Sequence, residues 1–328
     1  MVNASINTAG RPIYSTPAPL SSTRVPEYPD LTVYLQSLEP RVLGHTLQRV
    51  RLGSPFLLRS VEPPLSSVNG KKVIGLSRLG KRLVLALEQQ LFLVIHLMIA
   101  GRLQWKPSGA RLPGRAGLAG FDFDSGTLVL TEVSTRKRAS LHVVQGEHAL
   151  KAFDRGGLEI FAIHLDQFAE RLRSENHTLK RALTDPRLFS AIGNAYGDEI
   201  LHRARLSPVK LTRSMSGEEI ARLFEAIRGS LTEWTQRLKA EVGEGWPEKV
   251  TAFRPQMAVH GRYKEPCPVC RSPVQRIVHA ENETNYCATC QTGGKLLADR
   301  SLSRLLKEDW PKTLEELEEY VATRSASQ

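Results

Sequence analysis

Four cysteines, the only ones in the chain, fall in one window as Cys267-x2-Cys270-x16-Cys287-x2-Cys290. Each CxxC pair turns two thiolates toward one point, and two such pairs make a tetrahedral cage for Zn²⁺. Pro266 and Pro268 shape the first knuckle, and a strand ending at Tyr286 delivers the second. Four thiolates leave no position open for water, so the expected ion, one Zn²⁺, is structural rather than catalytic. The competing reading is two disulfides in a secreted protein. Against it stand an N-terminus without a charged-then-apolar signal and a remainder of the chain without any Cys. The expected compartment is reducing: the cytoplasm, beside the nucleoid in a bacterium.

Charge narrows the partner. Lys and Arg number 45 against 34 Asp and Glu, a net charge of +11 with pI near 9.7. That balance favours a polyanion such as nucleic acid over a merely solvating basic surface. Hydrophobic residues at 41% and charged residues at 24% are globular proportions, which excludes global disorder. No stretch reaches the roughly 20 apolar residues of a membrane span. The longest apolar run, Leu91 to Ala100, is broken by His96.

These residues need elements to position them. Residues 1–25 are rich in Ser, Thr, Pro, Ala and Asn and read as a disordered extension. A mostly β domain is expected over 26–150, with a front helix over Leu31–Leu38 and strands at Lys81–Leu87, Leu91–Ile95 and Thr127–Thr131. Residues 102–120, dense in Gly, Pro and Arg, read as a long exposed loop. A helical domain follows over 155–250, with helices at Leu165–Ser174, Leu179–Leu183, Asn194–Ala204 and Ser216–Val242. Ser216-Gly-Glu-Glu219 reads as a capping box at the start of the last of these. Residues 256–292 form the cysteine finger, and 293–328 a tail with short helices around Trp310-Pro311.

Five local texts stand in register: Pro26-Glu27-Tyr28-Pro29-Asp30; Ser77-Arg-Leu-Gly-Lys81-Arg-Leu; Ile95-His-Leu-Met-Ile-Ala-Gly101; Ile192-Gly-Asn194-Ala-Tyr-Gly-Asp-Glu-Ile200; and His260-Gly-Arg-Tyr-Lys-Glu-Pro-Cys267. From about Pro26 to Gln291 the chain resembles the formamidopyrimidine-DNA glycosylase/endonuclease VIII family of base-excision repair enzymes. The resemblance implies an α+β multidomain fold. An N-terminal β-sandwich with a flanking helix would precede a helix–two-turn–helix domain and a C-terminal zinc-finger β-hairpin. It also implies a monomeric enzyme acting on double-stranded DNA with damaged bases or abasic sites. Such an enzyme is a bifunctional glycosylase and abasic-site lyase working through a Schiff base.

The site residues follow from the same resemblance. Pro26 stands where the family has its nucleophile, an N-terminal proline. An α-amino group, with a pKa of about 7.7–8.0, is more readily unprotonated than a lysine at about 10.4. Glu27 matches the catalytic acid, which moves protons at the deoxyribose ring. Lys81 matches the hairpin lysine near the lesion phosphate, and Asp30 a second carboxylate. His96, Lys180 and Asn194 match DNA contacts. Their structural alternatives are a core histidine, a solvated helix face and a helix cap respectively. Ile99, beside Met98, is the candidate wedge that fills the gap left by an extruded base. A pocket loop over Lys239–Pro255 would select the base.

Three departures matter. Glu132-Val-Ser-Thr-Arg136-Lys-Arg138 keeps charge but lacks the family's aromatic. Asn282 replaces the usual Arg of the finger tip, which puts a second elimination in doubt. Pro26 is amide-linked to Val25, and an amide nitrogen is no nucleophile. A start at Val25 resolves this, because GTG encodes Val internally and Met as an initiator. The runner-up function is a damage-binding protein of the same fold without catalysis. A zinc-ribbon transcription factor ranks third, since it leaves the β domain and Lys81 without a role.

Overall fold

The computed structural model describes residues 25–248, 250, 254–279, 282–297, 311–317 and 319. Of the expected disordered extension 1–25 only Val25 is described, and of the expected short helices around Trp310-Pro311 the part before Pro311 lies outside the described residues, while 314–317 are helical. Helix α1, Tyr28–Val42, opens the first domain, longer at both ends than its apolar spacing suggested. Pro29 in its first turn is compatible with a helix start, where its missing N–H costs nothing.

Eight antiparallel strands follow in the spatial order β5-β7-β6-β1-β2-β3-β4-β8. They are β1 Thr46–Leu52, β2 Lys71–Leu79, β3 Arg82–Leu87, β4 Leu91–His96, β5 Gly101–Lys106, β6 Gly117–Phe123, β7 Gly126–Glu132 and β8 Ser140–Gln145. Strands β1 and β2 pair only at Thr46↔Lys72 and Leu47↔Lys71, so the sheet folds there into two halves. Leu47, Leu103, Phe121, Phe123 and Leu130 from one half meet Val73, Leu85, Leu93, Ile95 and Leu141 from the other, with Leu31, Tyr34 and Leu38 of α1. This is the expected sandwich. The unbroken apolar text of β4 has a reason too: Leu91, Leu93 and Ile95 face that core, while Phe92 and Val94 face a second cluster under Leu150 and Phe153.

The exposed loop expected over 102–120 is shorter than expected, running over 107–116. Strands β5 and β6 occupy both ends of the expected span, and β6 is buried throughout. Gly117 and Gly120 answer to close packing, while Gly109 and Gly114 take the positive φ of the loop between the strands. A Cβ at Gly117 would stand 2.8 Å from Cβ of Leu112, and one at Gly120 would stand 3.0 Å from the Arg51 guanidinium.

After the short α2, Glu147–Lys151, come α3 Leu165–Ser174, α4 Leu179–Thr184, α5 Asn194–Arg203 and α6 Gly217–Val242. Ser216 caps α6 and accepts the Glu219 N–H as the capping box predicts. These helices enclose Phe168, Leu183, Phe189, Ile200, Leu223, Ile227 and Trp234. Beyond α6 the chain turns back to the sheet, where Val250 joins the sandwich core and Trp246 Nε1 donates to the Leu103 carbonyl at 2.9 Å. The finger is β9 Val274–His279 and β10 Asn282–Cys287, closed by α7 Ala288–Thr292. Among the described residues no helix is long and apolar enough to cross a membrane.

Candidate active site and DNA cleft

Helix α5 begins after Ile192-Gly193, with Gly193, not Asn194, as its extended N-cap. Its first N–H groups lack intrahelical partners. The Glu27 carboxylate supplies them, accepting from the backbone N–H of Gly193 at 2.7 Å, Ala195 at 3.0 Å and Tyr196 at 3.2 Å. Glu27 is at the same time the N-cap residue of α1, bound reciprocally to Asp30, whose Oδ2 accepts the Glu27 N–H at 3.1 Å. One buried glutamate thus caps two helices and joins two domains. Pro26, immediately before it, is buried as well.

Lys81, on the β2–β3 turn, reaches the same point. A Cβ on Gly193 would lie 2.4 Å from Glu27 Oε1 and 2.5 Å from Lys81 Nζ, so only glycine fits between them. Burial pulls the Lys81 ammonium below its ordinary pKa, opposed by the Glu27 charge and reinforced by Lys180. Asp30 is pushed up to about 6 by burial, against the pull of the Glu27 N–H and of Arg254, whose Nη2 lies 3.7 Å away.

Lys81, Lys180, Gly193, Asn194 and Asn282 line one cleft of about 940 Å³ between the two domains and the finger. Lys180 donates to the Asn194 carbonyl and, at 2.5 Å, to Asp198 Oδ1, which engages two of its three N–H groups. Asn194 Nδ2 reaches the Glu283 carbonyl of β10 at 2.8 Å, so it links helix to finger rather than capping its own helix. His96 ends β4 opposite Arg82, and burial with the charges of Arg82, Lys81 and His142 holds its pKa down to about 4. Ile99 stands on the β4–β5 turn, outside the cleft lining; Gly101 closes that turn, since a Cβ there would be 2.3 Å from the Leu97 carbonyl oxygen. The basic loop after β7 is tied by Glu132, which accepts the N–H of Arg138 and Ala139, and it exposes Val133.

Sequence reasoning passed over the residues that lock the finger in place. Asp198 Oδ2 faces His260 Nδ1 at 2.8 Å and accepts the Asn285 N–H at 3.2 Å. Glu199 accepts from Ala258, Val259 and His260 N–H between 2.7 and 2.9 Å, while burial raises its pKa. The adjacent acids in the Gly-Asp-Glu text were a usable signal: two carboxylates on a helix this apolar need partners.

The four cysteine Sγ atoms lie within 4.8 Å of one another, with Cys267 and Cys290 3.9 Å apart and Cys270 and Cys287 3.3 Å apart. Zn–S bonds of about 2.3 Å give tetrahedral edges of roughly 3.8 Å, so the donor set fits one zinc ion. Its role is structural, because the four thiolates fill its coordination sphere.

Comparison with known proteins agrees along the chain. The formamidopyrimidine-DNA glycosylase N-terminal domain matches residues 25–141, the formamidopyrimidine-DNA glycosylase H2TH domain 159–241, and the zinc finger found in FPG and IleRS 264–293. The formamidopyrimidine-DNA glycosylase of Thermus thermophilus is 32% identical over 279 residues, covering 82% of this chain and all of the relative. The crystal structure of MutM (Fpg) from the same organism superposes with a TM-score of 0.67 over 81% of this chain and 98% of that one. A complex of Lactococcus lactis Fpg with DNA containing an abasic site shares the fold, with a TM-score of 0.72 at 24% identity over 81% of this chain and 99% of that one. A full-length relative at this identity and three domain matches in order have one reading: the chain belongs to the formamidopyrimidine-DNA glycosylase family.

Proposed function

We propose that the protein excises damaged, oxidised bases from duplex DNA as a bifunctional glycosylase and abasic-site lyase. The observation that carries this reading is the Glu27 clasp. It holds the Glu27 carboxylate, next to Pro26 in the chain, on the Gly193 N–H and beside the Lys81 amine, and Lys81 and Gly193 line the basic cleft. The Thermus thermophilus relative, by its name a formamidopyrimidine-DNA glycosylase, supports the substrate class.

In the proposed reaction the free secondary amine of Pro26 attacks C1′ of the extruded nucleotide. The C1′–base bond breaks and the base leaves with a proton. The C1′–O4′ bond then opens, giving an iminium on Pro26 and a hydroxyl at C4′. Glu27 delivers the proton that O4′ takes up, and its three N–H donors fix where that exchange occurs. Removal of a C2′ proton expels the 3′ phosphate, beside which Lys81 supplies positive charge. His96, Ile99, Lys180 and Asn194 are assigned to DNA contact, Ile99 as the wedge.

Protein trimmed to begin at Pro26 should form a borohydride-trappable adduct with an abasic duplex, and the 328-residue chain should not. Glu27→Gln in the trimmed protein should slow base release by about 10²–10⁴-fold while leaving binding largely intact. An intact full-length chain that traps equally well would move the nucleophile from Pro26 to a lysine. Failure of both forms to trap, with binding retained, would favour a damage-binding protein without catalysis.

A further inference from the structure

The outer face of the β2-β3-β4-β8 half ends in a cluster of basic side chains beside the cleft. Strand register places them. Arg82 pairs with His96, His96 with Ser140, and Val94 with His142. Alternation along the strands therefore puts Arg82, His96, Ser140 and His142 on the face opposite the core residues Leu83, Ile95 and Leu141. Phe153, from the linker after α2, is the pivot. The Arg82 guanidinium lies 5.8 Å from its ring and donates to its carbonyl at 3.3 Å, while the His142 ring meets it edge-on at 4.8 Å.

Like charges side by side across strands destabilise a sheet. Here every charged neighbour that acts on the pKa of Arg82, His96 or His142 is itself basic: Arg155 on Arg82; Arg82, Lys81 and His142 on His96; Arg82 and Arg59 on His142. Asp154, adjacent to Arg155 in sequence, directs its carboxylate to the Gly156 N–H at 2.8 Å. His142 Nδ1 is buried without a hydrogen-bond partner. The arrangement gathers donors and basic groups in one place, with no carboxylate acting on any of the three side chains.

We propose that Arg82, His142 and Arg155 form a second phosphate subsite, which holds the backbone of the DNA strand as it leaves the cleft. This rests on the reading of the cleft as a DNA site, since Arg82 directly follows the cleft residue Lys81. A strand carrying one charge per about 3.4 Å of axis supplies phosphates at the needed spacing. An arriving phosphate favours the imidazolium form of His142 and His96. The groups that act on or pack against those rings are Lys81 from the β2–β3 turn, Arg82 from β3, His142 and Ser140 from β8 against His96, Phe153 from the linker against His142, and Arg59 from the segment before β2. None of them is an acid, so binding takes up protons and tightens as pH falls below the ordinary imidazole value of about 6.5.

The test is fluorescence anisotropy of wild type and the double variant His142→Gln/Arg155→Gln across a salt series, on abasic and undamaged duplexes. The slope of log K against log salt should become shallower by about 0.9 for each phosphate lost, thus by roughly 1–2, and equally on both duplexes. The pH-dependent tightening should shrink in the variant. If the double variant folds poorly, Arg155→Gln alone, at an exposed position, should shift the slope by about 0.9. An unchanged slope at unchanged affinity overturns the subsite. A shallower slope in a protein that releases no base and traps no abasic site keeps the subsite and removes the enzyme; intact trapping with an unchanged slope does the reverse. Inorganic phosphate that saturates the His142 ring resonances, with no further shift on adding duplex, would make this a free-anion site and overturn the backbone assignment.

Discussion

Leu47, Leu85, Leu93, Phe121 and Leu130 meet between the halves of the sheet, and none of them is exposed to solvent. Among the described residues the finger has by contrast only Val259, Cys267, Val274 and Cys287 as a buried cluster. The sheet can be held by apolar burial, at roughly 25 cal/mol per Å². A four-residue cluster cannot offset the ordering entropy of its hairpin, so the finger relies on its metal and on hydrogen bonds to α5. One chain thus contains a self-sufficient scaffold and a part that is folded only conditionally.

Removing a zinc ligand should separate the two most sharply. Cys287→Ser should release the ion, whose binding contributes on the order of 10 kcal/mol in isolated fingers. Limited proteolysis should then cut within 264–293 while the sheet domain stays protected, and DNA binding should vanish. A resistant finger without zinc would contradict the contrast. Leu93→Ala is the converse and a smaller change. A cavity in the sandwich should cost about 2–5 kcal/mol of its stability and leave one zinc per chain in metal analysis. Loss of zinc together with the sheet transition would mean that the two parts unfold as one.

The smallest effect concerns Asp30, beneath the joint between the domains. Its folded pKa of about 6 lies above the ordinary 3.8, because burial disfavours its charge. The folded state therefore keeps a proton that the unfolded state has released, and stability should fall as pH rises from about 4 to 6. The drop is on the order of 2–3 kcal/mol and levels off above that window. Asp30→Asn, with nothing to ionise, should flatten this part of the denaturation profile. A wild type whose stability is constant from pH 4 to 6 would refute it.

The helices of the second domain were legible in the sequence, whereas β1, β2 and β8 were not. The helix texts at 165–174, 179–183 and 194–204 came within a residue or two of their observed bounds, because a 3.6-residue period is a local property. The cysteine spacing was equally readable, since each knuckle is a local turn. The strand start at 117–120 was misread as loop for a physical reason: glycines that make room for Leu112 and Arg51 look, in sequence, like glycines that bend a loop. The Asp198–His260 pair was missed because 62 positions separate partners that only tertiary folding brings together. Lys180 was found, but its ion pair with Asp198 was not, for the same reason.

The Glu27 clasp also dictates an order of events. Its N–H donors stand 166–169 positions along the chain, so it cannot close while either domain is still forming. Contacts of such separation carry a loop-closure cost that local helices and hairpins avoid, and they come late in folding. A chain halted with a finished sheet and unassembled helices would hold Glu27 without its donors. The clasp therefore acts as a completion check: the reactive geometry exists only once the whole molecule has been assembled around it.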